Sequence, residues 1–375
     1  MKQRLFALAL ILSSIALSLH AQPELLRPSL EASLERIGHP SDIGEFSPVF
    51  HFPPRNQDTT NCCWSFATCS FLETEMQRVG GKSVALSPMY FAYYAFIEKT
   101  KEIVRTKGVS RFSEGDLFSG VLSTVKAYGI IPLSAYPGQT RQCPTYNNEP
   151  LMKELEASIA KIKRDSVWNE AEALAVVTPI LDKYLGRPPA AFIYEGASYT
   201  PETFRDKVVA LPWDEYVLVT SFLYAPFHQK TELKVPDNWK HRADFYNVPL
   251  DEFSASLAKA VKAGYSVAFD ADISEPSYRL TKEFAFIPDF DLPSGAVTPE
   301  AREFRFQNGS TTDDHLMHIV GYVKNGNDDW FMVKDSWRTA HQGPLKGYIL
   351  MHESFVKMKV LAYLVHKDAV KGLVR

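Results

Sequence analysis

The spacing of hydrophobic positions changes a little past the middle of the chain, from helical to alternating. In the first half, apolar residues recur three or four positions apart, which is typical of helices packed on one face. A first helix is predicted over about residues 63–79, and Gly80-Gly81 ends it. Ser87-Pro88 opens a second, aromatic-rich helix, with serine as the N-cap and proline at the first position. A third is predicted over residues 116–126.

Residues 149–210 have a helical pattern of their own. A second helical stretch in this region runs to about residue 185, and a break is expected near Pro179 because proline cannot donate a backbone hydrogen bond. The pattern predicts a helical insertion rather than a separate domain. The apolar residues that define its first helix fall on one face: Leu151, Leu155, Ile159 and Ile162.

The remainder alternates with period two and is predicted to form strands. Turn-rich joints such as residues 324–327 separate several of them, which favours an antiparallel sheet. Helices first and strands afterwards predict an α+β fold. The candidate strands are Tyr216–Ser221, Ser266–Asp270, Leu316–Val323, Trp330–Lys334, Gly347–Met351 and Val360–Val365.

The first residues have the pattern of a secretory signal peptide. A basic start precedes an apolar stretch from Leu5 to Leu19, and Ala21 offers a small residue for cleavage. The stretch is short for a membrane span, so no membrane association is expected beyond the signal. The mature protein is therefore expected to be secreted or periplasmic.

Length and composition indicate a folded protein with two subdomains. The chain has 375 residues with 45% hydrophobic residues, and its net charge of −3 includes no basic tract that would suggest a nucleic-acid partner. The expected division is a signal peptide at 1–21, an N-terminal arm at 22–50, a helical subdomain at 51–148, the insertion at 149–210 and a mainly β subdomain at 211–375.

The four cysteines are too few for a disulfide scaffold. They are Cys62, Cys63, Cys69 and Cys143. If Cys63 is a nucleophile, at most one bridge can form among the other three. A bridge between Cys69 and Cys143 is conceivable, but the pairing stays open, and no Cys/His cluster has the spacing of a metal site.

Cys63 is the residue most suited to covalent chemistry. It stands at the first turn of the first predicted helix, where the partial positive charge of the helix N-terminus favours a thiolate. The alternative is a structural cysteine beside a core tryptophan, Trp64. Catalysis by a thiolate also requires a base, a group that orients the base, and donors for the oxyanion.

Later residues supply a candidate for each of these roles. His315 begins a predicted strand, and Asp335 ends the next one, so a hairpin would place the carboxylate beside the imidazole. Gln57 is expected to offer its side-chain amide to the oxyanion together with the backbone N–H of Cys63. His318 is expected on the opposite strand face from His315. Asp270 and Asp272 are read as strand-end carboxylates that could also line a cleft, although a solvated role is commoner.

These three motifs, in this order, resemble papain-like cysteine peptidases. The segment from Gln57 to Ala67 is similar to the family's active-site helix, His315 lies six residues before Gly321-Tyr322 as the family histidine does, and Asp335-Ser336-Trp337 stands where the family has Asn-Ser-Trp. The resemblance implies a papain-like two-subdomain fold with a helical subdomain and a β-barrel-like subdomain.

Further segments resemble the bleomycin hydrolase and aminopeptidase C group. They are residues 86–99, 115–132, 135–137, 185–189 and 246–250. The group implies peptide-bond hydrolysis of peptide substrates, no cofactor and often a hexameric ring. Gly115 matches the glycine whose backbone pairs with bound peptide, and Trp337 is assigned with it to substrate binding.

Three departures from the group bear on function. Asp335 replaces the usual asparagine; its charge would raise the pKa of His315 and favour a thiolate–imidazolium pair. The export signal differs from the cytosolic members. In the group, aminopeptidase action depends on a C-terminal arm, and only about seven residues follow Asp368 here. The expectation is an exported aminopeptidase-type cysteine peptidase. The alternatives are an endopeptidase with an open cleft, a catalytically silent peptide-binding protein and an acyltransferase that uses the same thiol.

Overall fold

Helices from the first half of the chain pack against a large sheet formed by the second half. The computed structural model describes residues 25–140, 144–281 and 283–373. The helices are α1 Cys63–Gly80, α2 Pro88–Arg105, α3 Phe118–Tyr128, α4 Glu149–Arg164, α5 Glu170–Leu185, α6 Pro201–Phe204, α7 Leu250–Lys262, α8 Pro276–Thr281, α9 Pro299–Gln307 and α10 Glu353–Lys359. The α+β class predicted from the sequence is confirmed.

The strands follow the predicted alternation and add several short ones. They are β1 Ser47–Pro48, β2 Phe192–Tyr194, β3 Ala197–Tyr199, β4 Tyr216–Thr220, β5 Gln229–Thr231, β6 Phe245–Asn247, β7 Val267–Ala271, β8 Phe284–Ala285, β9 His315–Asn325, β10 Asp328–Lys334, β11 Tyr348–His352 and β12 Val360–His366. Strands β2 and β3 form a separate hairpin in the insertion.

The large sheet is open and of mixed direction. Its order is β5-β6-β4-β12-β7-β9-β10-β11-β8, with β1 paired to β9. Most neighbours are antiparallel, as predicted, but β4 with β6 and β11 with β8 run parallel. The described strands do not close into a barrel. The expected "barrel-like" subdomain is therefore better described as an open sheet that is covered by helices.

The ends of α1 and α2 are set by the residues that the sequence indicated. Gly81 caps α1 in the left-handed region with φ 66°, a conformation that glycine adopts without strain. The Ser87 hydroxyl accepts a hydrogen bond from the Tyr90 N–H at 3.3 Å, and Pro88 begins α2. Both predictions are confirmed.

The helices of the insertion differ from the prediction at one point. The four predicted apolar residues of α4 are buried. Helix α5, however, continues through Pro179, so the expected break is wrong. Proline removes only one hydrogen bond of the helix, and the buried residues Val177, Ile180 and Leu181 hold both sides of that position against the core.

The N-terminal arm is helical over residues 25–37 and covers the far edge of the sheet. Leu30 and Leu34 are buried against Phe286 and Trp330. The predicted signal peptide at 1–21 lies outside the described residues. In the part of the chain that the structure describes, no helix has the length and apolar character needed to cross a membrane.

Candidate active site

Cys63 lies at the junction between the helices and the sheet. It is the first residue of α1, and its residue surface is 8% exposed. Helix α1 packs on β9, whose first residue is His315. The first N–H groups of a helix have no partners within the helix, so they are directed at whatever binds beside the thiol. The fold thus places a cysteine and a helix N-terminus next to the start of β9.

His315 and Asp335 form a buried pair beside this cysteine. The Asp335 Oδ1 accepts a hydrogen bond from His315 Nε2 at 2.7 Å, and both side chains are almost fully inaccessible to solvent. The antiparallel pairing of β9 with β10 brings them together, since Asp335 directly follows the last residue of β10. Because Nε2 faces the aspartate, Nδ1 is the ring nitrogen left for Cys63.

The electrostatics of His315 favour its protonated form. Burial by itself lowers the pKa of an imidazole, but the negative charge of Asp335 and the neighbouring Cys63 outweigh burial and raise the pKa of His315 to about 10. Hydrogen bonds with both side chains contribute in the same direction. At neutral pH the histidine therefore carries a proton that it can later donate.

Two further contacts hold the Asp335 carboxylate in place. Its Oδ1 also accepts the backbone N–H of Trp337 at 2.7 Å. Its Oδ2 accepts a hydrogen bond from the buried hydroxyl of Tyr278. Burial and the adjacent carboxylate raise the pKa of Tyr278 well above its usual value, so the phenol stays a donor. Tyr278 lies in the short helix α8, and no sequence motif pointed to it.

Gln57 is tied to the same turn as Asp335. Its backbone N–H donates to the Ser336 carbonyl at 2.8 Å, and its Oε1 accepts the Ser336 hydroxyl at 2.6 Å. Its Nε2 donates to the Thr60 carbonyl at 2.6 Å. An amide nitrogen has two N–H groups, and only one of them is used by a hydrogen bond of Gln57 among the described residues.

The two residues that the resemblance assigned to substrate binding are held by local contacts. Trp337 is half-buried, and its ring lies edge-on to His315 with 5.8 Å between centroids. It thereby shields the pair of His315 and Asp335 from solvent. The carbonyl of Gly115 accepts a hydrogen bond from the buried ammonium of Lys99. The Gly115 loop is joined to α1 by the Trp64 indole N–H, which donates to the Glu114 carbonyl at 3.2 Å.

The other cysteines are kept as buried thiols. The Cys62 Sγ donates to Glu114 Oε1 at 3.5 Å and accepts from Asn148 Nδ2 at 3.5 Å. Burial, and next the Glu114 charge, raise the pKa of Cys62 well above its usual value. Cys69 is also free and fully buried. Cys143 lies outside the described residues, so the proposed partner of Cys69 is not seen.

His318 and the two strand-end aspartates have different environments. His318 lies behind the site, and its Nδ1 is 2.9 Å from the Ser70 hydroxyl of α1. Asp272 is paired with Lys359 at 3.1 Å, which is a structural contact. Asp270 is fully buried rather than solvated, and it lies close enough to Cys63 for the charge of the thiolate to raise the pKa of its carboxyl group.

No group of metal-binding side chains is present among the described residues.

Comparisons with known proteins identify the family of the chain. The sequence profile of the Peptidase C1-like family matches residues 45–374. Aminopeptidase C of Listeria monocytogenes is 22% identical over 92% of this chain and 88% of its own length. Aminopeptidase C of Lactococcus lactis subsp. cremoris is 24% identical over 90% of this chain and 86% of its own length.

A solved structure supports the fold. The crystal structure of PepW from Lactobacillus rhamnosis superposes with a TM-score of 0.68 at 20% identity, and it covers 96% of this chain and 92% of its own. Because the family profile covers nearly all of the chain, the chain belongs to the Peptidase C1-like family and is a papain-like cysteine peptidase of the bleomycin hydrolase and aminopeptidase C group.

Proposed function

We propose that this peptidase cleaves peptide bonds through a Cys63 thiolate and a His315 imidazolium, and that it acts as an aminopeptidase on small peptides. The observation that carries the proposal is the position of His315, which is hydrogen bonded to Asp335 at 2.7 Å and adjacent to Cys63. This is the relation that nucleophile, base and orienting group need in thiol catalysis. The names of the relatives support the aminopeptidase part.

The reaction follows from these positions. The Cys63 sulfur attacks the carbonyl carbon, and the electron pair of the carbonyl moves to oxygen. His315 then donates its proton to the departing amine, and the acyl group stays on sulfur as a thioester. A water molecule gives a proton to His315 and attacks the thioester, which releases the acid and restores the Cys63 thiolate beside the His315 imidazolium. Asp335 keeps the ring oriented in both steps.

Two donors are proposed for the developing oxyanion. One is the backbone N–H of Cys63, the first residue of α1. The other is the N–H of the Gln57 side-chain amide that does not bind the Thr60 carbonyl. Hydrogen bonds to Ser336 hold Gln57 rigidly, so no side-chain rearrangement is required when charge develops. We expect Gln57→Ala to lower kcat by about 100-fold, as for other single oxyanion donors.

An epoxide that alkylates papain-type thiols tests the nucleophile. We expect one label at Cys63, found by peptide mass mapping, and no turnover by Cys63→Ala. Cys69→Ala is the matched control, because Cys69 is a buried thiol of the same helix that faces away from solvent. The control should keep both label and turnover. An unlabelled Cys63 in a folded protein would favour the silent peptide-binding alternative.

Blocked substrates test the aminopeptidase part. An aminoacyl amide with a free amino group and its N-acetylated counterpart are compared by kcat/KM. The proposal requires a large preference for the free amine. Equal cleavage of the acetylated substrate would indicate an endopeptidase instead.

Export remains a proposal that is based on the N-terminal pattern. A basic start, the apolar stretch 5–19 and Ala21 have the features of a cleaved signal. Sequencing the N-terminus of the protein recovered from the extracytoplasmic fraction of its host tests it. A mature chain that still starts at Met1 would contradict cleavage.

A further inference from the structure

Three aspartates from distant parts of the chain meet next to Cys63. Asp270 lies in β7, opposite Leu316 of β9, and it is fully buried. Asp313 lies two residues before His315, and its Oδ2 accepts the backbone N–H of Asp237 at 3.3 Å. Burial, Asp313, Asp237 and the Cys63 thiolate all raise the pKa of Asp270, so the four groups are neighbours.

Asp270 is the central member, and its carboxyl group shares a proton with that of Asp313. Apart from that shared proton, neither Asp270 oxygen has an N–H or hydroxyl donor among the described residues. The pKa of Asp313 is raised to about 7, first by burial and then by the charge of Asp237. Buried carboxyl groups that have mainly one another as partners cost free energy of folding. The arrangement is therefore difficult to explain as a device for folding.

The cations in this region do not compensate the cluster. Burial raises the pKa of Asp237 and outweighs the opposing charges of Lys99 and Arg111, and Lys99 also interacts with a fourth carboxylate, Asp116. The Lys99 ammonium donates to the carbonyls of Ser113 and Gly115 rather than to an aspartate. Within the described ranges, none of the three aspartates takes part in an ion pair. The nearby cations therefore leave most of the charge of the cluster without a direct partner.

The backbone around Asp237 also limits what can enter. The Asp237 carboxylate lies directly against the Cα of Gly115, and a Cβ at this glycine would overlap it. The neighbouring Glu114 carbonyl is bound to α1 by the indole N–H of Trp64, the residue that follows Cys63. A peptide that extends from Cys63 past Gly115 therefore meets a carboxylate instead of an open groove.

We propose that Asp237, Asp270 and Asp313 form a subsite beside Cys63 that binds the protonated α-amino group of the substrate. Binding of the amino group there would place the first peptide bond of the substrate at Cys63. The subsite rests on the proposed function of Cys63. A positive ammonium supplies the donors that Asp270 lacks and replaces a proton shared among the carboxylates. The described residues around the cluster lack the arrangement of a metal site.

Substrate pairs with and without an amino group test the subsite. Asp270→Asn and Asp313→Asn keep the shape and remove the charge. We expect the preference for a free-amine aminoacyl amide over its N-acetylated counterpart to fall at least tenfold in each variant. Asp214→Asn is the control, because Asp214 is an exposed carboxylate whose side chain is 91% accessible and pairs only with Lys126. Its preference should equal that of the wild type.

Two outcomes would overturn the subsite. One is an equal loss of both substrates in the aspartate variants, which would indicate damage to the site rather than loss of amine binding. The other is a wild-type preference for acetylated peptides with lysine before the cleaved residue, since the cluster would then bind a side-chain amine. The rate of Cys63 alkylation by an uncharged epoxide is measured in every variant to show that the thiol is intact.

A binding experiment does not depend on turnover. A dipeptide with a free amino group is titrated calorimetrically into the Cys63→Ala protein, alone and combined with Asp270→Asn. We expect at least tenfold weaker binding in the double variant and no binding of the N-acetylated dipeptide to either. Equal affinity in both proteins would disprove the subsite even if Cys63 proves to be catalytic. Absence of label at Cys63 with intact amine-dependent binding would instead refute only the proposed chemistry.

Discussion

Asp335 accepts three hydrogen bonds in the candidate active site. One oxygen accepts both His315 and the Trp337 amide, and the other accepts Tyr278. An asparagine at this position could accept the same hydrogen bond from His315 but would carry no charge. The difference between the two side chains is therefore electrostatic.

The charge of Asp335 sets the alkaline limit of activity. The raised pKa of His315, about 10, keeps the imidazolium present at neutral pH, and activity should fall as the pH rises through that value. Asp335→Asn removes the main raising influence, so the alkaline limb of kcat/KM should move to lower pH by about 1–3 units. A pH–rate profile of both proteins measures the shift. An unchanged or upward-shifted limb would contradict this role.

Tyr278 is expected to be a positioning residue that acts through Asp335. Tyr278→Phe removes one hydrogen bond to a charged group, and we expect kcat to fall about tenfold while KM stays the same. Tyr363→Phe is the control, since Tyr363 is another buried tyrosine whose hydroxyl bonds to Ser256 at 2.7 Å. If both variants lose stability alike and keep kcat, Tyr278 is only structural.

At the scale of elements, local signals predicted the helices better than the sheet. Gly81 and Ser87 end and begin helices through contacts with nearby residues, so they can be read from sequence. The parallel pairing of β4 with β6 depends on distant segments. The same applies to the site: motif spacing indicated His315 and Asp335, whereas Tyr278 and Asp237 reach it only through tertiary packing. Of the acidic cluster, only Asp270 was singled out from the sequence, as a strand-end carboxylate that could line a cleft.

The proline inside α5 gives a prediction about stability. Pro179 is exposed in the helix interior, where alanine is more favourable by about 3 kcal/mol. Alanine also makes the unfolded chain more flexible, which offsets about 1 kcal/mol of this gain. Pro179→Ala should therefore raise the free energy of unfolding by about 2 kcal/mol. Denaturant unfolding measures the change. Pro150→Ala, in the first turn of α4, should change little, and equal effects would contradict the argument.

At the scale of the whole molecule, the proposed catalytic groups come from two layers. Cys63 belongs to the helical layer, and His315 and Asp335 belong to the sheet. The resemblance to the bleomycin hydrolase and aminopeptidase C group leads us to expect a hexameric ring. Sedimentation equilibrium should then give a mass about six times that of one chain. A monomer mass at micromolar concentration would contradict it.

The environment of Cys62 has a consequence for oxidation. Peroxide converts a reactive thiolate to a sulfenic acid, which a nearby thiolate can trap as a reversible disulfide. Cys62 adjoins Cys63 in sequence, but burial and the neighbouring Glu114 carboxylate raise its pKa and keep it protonated. Cys69 has a raised pKa as well. In the described part of the chain, the nucleophile therefore has no resolving partner, and reductant would restore an oxidised enzyme only until the sulfinic acid forms.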